Sequence, residues 1–83
     1  MIRLYTEDVN REGTLAILDA RFDAYTVIPA IGRWRGKSEA TLIIELDGVG
    51  YFAANKVAQE IRKANNQEAI LLTVESRESI LLT

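Results

Sequence analysis

The chain has no cysteine, no histidine and a single proline in 83 residues. The absence of cysteine excludes disulfide staples and thiolate nucleophiles, and with histidine also missing, zinc sites with nitrogen or sulfur ligands and histidine-based triads go too. Any chemistry is left to carboxylates, hydroxyls, lysine or an oxygen-ligated cation. Long apolar runs are absent as well: Thr41–Ile44 and Ala69–Leu72 are far shorter than the roughly 20 residues of a membrane span. Met1-Ile2-Arg3 carries no signal-peptide pattern, so a cytoplasmic location without a membrane partner is expected. Neither charge sign dominates. Twelve acidic against ten basic residues leave a net charge of −2, which disfavours nonspecific binding to nucleic acid or anionic membrane.

The hydrophobic fraction is 48%, enough for one globular domain. A chain of this length buries only roughly 60–65% of its unfolded surface, so its core is thin and self-association is a natural way to extend it. Ile2-Arg3-Leu4-Tyr5 alternates like a half-buried strand. Asn10 suits a helix start, and Leu15, Leu18 and Phe22 recur at helical spacing, predicting a helix over about Arg11–Phe22. Tyr25–Ile31 reads as a second strand, with Pro29 arguing for an edge position or a bulge. Gly32–Glu39 reads as a turn or loop, and Ala40–Leu46 as a third strand with Leu42, Ile44 and Leu46 on one face. Asp47 and its neighbouring glycines break that strand and offer a cap for the next element.

Ala54, Val57, Ala58, Ile61 and Ala64 then form the stripe of a second helix, which Asn65-Asn66 stops. One of Tyr51 and Phe52 can enter the core, and Phe52, off the stripe, is a candidate for an interface or for simple local packing. Ala69–Val74 is a fourth strand, and Ser79–Thr83, an echo of 69–73, a short final one after a turn at Ser76–Glu78. The order predicts an α+β, ferredoxin-like βαββαβ sandwich over residues 1–83, with a short extra C-terminal strand. Both helices would cover one sheet face. Ile43, Leu71 and the last strand leave apolar groups on the other, which another copy of the chain could cover.

The richest segment is Gly32-Arg33-Trp34-Arg35-Gly36-Lys37, which holds three of the ten basic side chains and the sole tryptophan. Arginine forks match phosphate and carboxylate, glycines admit a close anion, and tryptophan stacks on a base or fills a partner's pocket. In an extended loop, Arg33 and Arg35 would project to one side and Trp34 to the other. In the alternative, these arginines pair with structural carboxylates such as Glu39 or Glu45. Asp19 and Asp23 stand one helical turn apart, but a solvated polar face accounts for them. RNA-recognition domains share the element order, yet the third strand here lacks the aromatics that stack bases.

At Thr26-Val27-Ile28-Pro29-Ala30-Ile31-Gly32-Arg33-Trp34-Arg35-Gly36 and the strand Thr41–Leu46, the chain resembles the PII signal-transduction family and its wider PII-like superfamily. The resemblance implies a cytoplasmic homo-oligomer, expected as a trimer, that binds small anions, nucleotides among them, between subunits. On it, Gly32, Arg33, Arg35 and Gly36 correspond to the loop base, with Trp34 stacking and Lys37 adding charge. The loop is shorter than the family's, and Asn65-Asn66-Gln67-Glu68 stands where the family carries a glycine-rich, lysine-containing segment. The cofactor is left unspecified. A protein-interaction module working through the Trp34 loop is the alternative, and no nucleophile–base pair points to an enzyme.

Overall fold

Alternation along Ile2–Glu7 builds β1, whose Ile2, Leu4 and Thr6 are buried while Arg3, Tyr5 and Glu7 face the other way. The computed structural model describes Met1–Glu75. The expected turn at Ser76–Glu78 and strand at Ser79–Thr83 lie outside the described residues. Asn10 caps α1 (Arg11–Asp19) by accepting a hydrogen bond from the Gly13 backbone N–H at 3.2 Å. The helix ends at Asp19, earlier than its apolar spacing predicts, although backbone bonds from Arg21 and Phe22 to the Leu18 carbonyl carry one more turn.

A long hairpin comes next, formed by β2 (Thr26–Trp34) and β3 (Lys37–Leu46). The predicted loop at Gly32–Glu39 is thus mostly strand. Pairing continues without a break from Thr26↔Glu45 to Trp34↔Lys37, leaving only Arg35 and Gly36 as the turn. Both take positive φ, 51° and 78°, which gives a tight turn whose twist matches that of the strands it joins. After β3 the chain bends at Gly48 (φ 73°) and enters α2 (Tyr51–Ala64). Asp47 does not cap this helix: the N-cap is Gly50, with no side-chain hydrogen bond. Asn65 forms the C-cap, Asn66 adopts positive φ, and β4 (Leu71–Val74) closes the described chain.

The sheet order is β2-β3-β1-β4, antiparallel throughout, which is the ferredoxin-like arrangement. Pro29 lies on an edge strand, where its missing N–H costs no central ladder bond. Ile2, Leu4, Ile44 and Leu46 from the sheet meet Leu18 of α1 and Ala54, Val57, Ala58 and Ile61 of α2 in a single core. Leu42 is buried on the same sheet face. Leu15 and Phe22 pack against the core only half-buried, and Ala64 stays exposed at the C-terminal end of α2.

Both helices cover the face that carries Leu4 and Ile44. The opposite face carries Arg3, Tyr5, Glu7, Ile43, Glu45 and Leu71, with Ile28 and Trp34 at its β2 edge. Tyr51 and Phe52 are both exposed, so neither enters the core: Phe52 lies off the buried stripe, and Tyr51 meets Phe52 and Asn55 while Ala54 of the same turn is buried.

Candidate functional site

The tight turn decides where each side chain of the basic segment goes. Because Arg35 leaves the extended conformation, Arg33 and Arg35 do not converge as strand alternation would require. Arg33 folds along the hairpin, donating from Nη1 to Ser38 Oγ at 2.9 Å and from Nη2 to the Gly36 carbonyl at 2.8 Å. Both acceptors are neutral, so its positive charge is held in place but not cancelled. Arg35 reaches Glu68 at 3.2 Å on the loop before β4, and its guanidinium carbon sits 5.3 Å from the centre of the Trp34 ring. Both partners of that ion pair are well exposed, so water screens the pair and it contributes little to stability. Lys37 makes no ion pair among the described residues. Glu45 does not pair with these arginines: it accepts from Arg3 at 2.8 Å, and Arg3 also binds Glu75 at 2.6 Å.

At the root of the hairpin, on the sheet face away from the helices, lies a cleft of about 480 Å³, a size ordinary for a small-molecule site. Gly32, Arg33 and Trp34 form one side of it, Tyr5, Glu7, Glu39 and Thr41 the floor, and residues 67–71 the far wall. Gly32 keeps this floor flat: a Cβ there would lie 2.5 Å from Thr41 Oγ1. Of the basic segment, therefore, the cleft takes Gly32, Arg33 and Trp34, while Arg35, Gly36 and Lys37 stand at the hairpin tip beyond it.

Two half-buried carboxylates give the cleft its polarity. Glu7 is paired with Thr41 across the ladder, and Glu39 lies two residues along the same face of β3. Burial pushes the Glu39 carboxyl above its ordinary value, and the charge and hydrogen bonding of Glu7 push it the same way. Acceptors thus lie within the cleft. Arg33 turns its guanidinium to the opposite face with Ser38. The cations beside the cleft are Arg35, which reaches Glu68 of the far wall, and Lys37 at the tip.

The far wall is fixed from behind. Gln67, on the segment after α2, is buried and accepts hydrogen bonds from the Thr6 hydroxyl and from Asn65 Nδ2, which also donates to Thr14 Oγ1. Threonines of β1 and α1 therefore anchor the loop that closes the cleft. Tyr5, Glu7, Glu39, Thr41 and Gln67 do not stand out in the sequence. Period-two alternation is the signal that could have found the first four, since it puts them on the face opposite Leu4 and Leu42. The crossing of the 67–71 segment has no local signal.

Asp19 accepts a hydrogen bond from the Tyr25 hydroxyl at 2.5 Å, and Asp23 lies beyond the helix end, so the two do not form a carboxylate pair on one helical turn. Partial burial of Tyr25 and its bond to Asp19 push that phenol up to about 12. Among the described residues no group of three or more acidic side chains is placed to hold a metal ion, and no helix is long and apolar enough to cross a membrane. Neither a family model nor a curated protein matches this chain, so the functional reading rests on its own residues.

Proposed function

We propose that this chain is a PII-like, homo-oligomeric binding module, a trimer on that resemblance, that takes a small anionic ligand of nucleotide type between copies. The observation that carries the reading is the cleft at the hairpin root. It joins an aromatic surface (Trp34, Tyr5) and hydrogen-bond acceptors (Glu7, Glu39) within one nucleotide-sized space, with Arg35, which reaches Glu68 of the far wall, and Lys37 as the cations beside it. A base stacks on aromatics, its amino groups or a sugar's hydroxyls donate to carboxylates, and its phosphates seek arginine and lysine. Ile28, Trp34 and Leu71 lie 40–60% exposed around the same face, an apolar surface suited to cover by a second copy.

A panel of purine and pyrimidine nucleotides, screened by shift in melting temperature and quantified by calorimetry, tests this. One nucleotide is expected to raise the midpoint, and Arg35→Ala with Lys37→Ala to weaken it at least tenfold with stability nearly unchanged. Saturating concentrations of every nucleotide without a shift would sink the proposal.

One observation favours a second reading. Ile31 and Trp34 project from opposite faces of a hairpin that extends past the helices, 80% and 49% exposed. A hairpin with apolar groups on both sides suits insertion into a partner protein without a small ligand. Capture of such a partner that persists in Arg35→Ala, Lys37→Ala but is lost in Trp34→Ala, Ile31→Ala would select it.

A further inference from the structure

On the side of the sheet away from the cleft, α2 turns a second surface to solvent. Its inner stripe is buried, yet Phe52 in the first turn is 88% exposed and Tyr51 beside it 53%. The two rings meet edge to face with centroids 6.0 Å apart, and Tyr51 Oη accepts a hydrogen bond from Asn55 Nδ2 at 3.1 Å. The aromatic pair is thus held in one arrangement before anything binds, which lowers the entropy cost of using it as an anchor. A shallow hollow of about 640 Å³ runs from these rings along the helix past Lys56 and Lys63. Glu60 in this hollow is neutralised by Arg21 of the turn after α1, while neither lysine makes an ion pair among the described residues. The face is therefore apolar at its N-terminal end and positive along its length, on a chain whose net charge is −2.

We propose that this face docks an acidic amphipathic helix from a partner protein. Its apolar side chains would cover Phe52 and Tyr51, and its carboxylates would meet Lys56 and Lys63. The lysines are two helical turns apart, about 10 Å along the axis, so carboxylates spaced seven residues apart on a helix match them. A second copy is disfavoured: a two-fold axis at Gln59 and Glu60 would set Lys56 against Lys63 of the other copy. An anionic membrane is a poor match for two lysines on a negatively charged chain. This surface is independent of the cleft and of the ligand proposed there.

Two labelled synthetic helical peptides test the assignment, one with leucine and glutamate on matching faces and one with lysine in place of each glutamate. Titrated into the isotopically labelled protein, the acidic peptide should shift backbone resonances of residues 51–63 in a salt-dependent way, and the basic peptide should not. Phe52→Ser should weaken the acidic peptide about tenfold. Lys56→Glu with Lys63→Glu should abolish its binding and confer binding of the basic peptide, with the melting temperature of both variants close to that of the parent. Equal responses to the two peptides, shifts confined to the sheet, no response to either, or a charge-reversed variant that still prefers the acidic peptide would overturn the proposal.

Discussion

On the helix-covered face of the sheet, Leu4, Leu42, Ile44 and Leu46 have lost all contact with water. One residue along the same strands, Tyr5, Ile43 and Glu45 are half-buried and Leu71 is 60% exposed. The two faces share a backbone and a register, so the difference lies wholly in side-chain choice. The inner face repeats branched aliphatics that fit one another. The outer face mixes aromatics, carboxylates and an Arg3 bridged to Glu45 and Glu75, a composition that is poor for a core and good for recognition. The inner face holds the fold together; the outer face, with the hairpin that extends it, is free to vary without unfolding the chain.

Substitutions can break or sharpen that contrast. The largest effect is expected for Leu4→Ala, which should cost about 2–5 kcal/mol in urea unfolding because its site is sealed by α2 and β3. Leu71→Ala, on the outer face, should cost only about 0.5 kcal/mol under dilute conditions. Equal costs would mean that the outer face is also core. Asn10→Ala should remove about 1 kcal/mol by leaving the first turn of α1 without its cap acceptor, measurable as a lowered urea midpoint.

The hairpin should respond in the opposite direction. Arg35 occupies a left-handed conformation that asparagine tolerates better, so Arg35→Asn should stabilise by about 0.5–1 kcal/mol. A stabilised protein that has lost ligand affinity would mark Arg35 as kept for binding rather than for folding. Destabilisation would show instead that its contacts with Glu68 and Trp34 matter to the fold.

Titration gives the smallest and most local effects. The folded-state value of Glu39 is raised, so the folded protein binds more protons than the unfolded chain just above the ordinary carboxylate range. Stability should therefore decline as pH rises through that window, and Glu39→Gln should remove the decline. Asp8 has the opposite sign. Its hydrogen bond from Arg11 lowers its value, so its contribution is present at neutral pH and lost as pH falls through the depressed value. Tyr25, raised to about 12, should keep its proton when an ordinary phenol near 10 has lost it. Absorbance titration of the parent minus Tyr25→Phe should show that late step, and a midpoint near 10 would contradict the bond to Asp19.

Much of the inner face is legible in the sequence because periodicity encodes it. Leu42, Ile44 and Leu46 at period two, and Ala54, Val57, Ala58 and Ile61 at helical spacing, mark buried stripes directly. Pro29 marks an edge, and Asn10 and Asn65 mark helix ends. The hairpin tip reads as a loop because Arg35-Gly36 looks like part of a basic, glycine-bracketed connector. Only the pairing of Trp34 with Lys37 shows that two residues suffice to turn the chain. The same ambiguity reaches the site: strand alternation makes Arg33 and Arg35 converge, whereas the turn makes them diverge. The cleft itself depends on long-range contacts, because Glu7, Glu39 and Gln67 are brought together by strand register and by a loop anchored through Thr6 and Thr14.

The outer face is proposed as a surface used between copies of the chain rather than a bare side of the sheet. Light scattering at micromolar concentration tests this most directly, comparing the parent with Ile28→Glu and Leu71→Glu. A stable oligomer is expected for the parent and a monomer of unchanged circular dichroism for each variant, since a charge can be solvated on a free face but not in a closed interface. A parent that is itself monomeric, or variants that retain the oligomer, would contradict it.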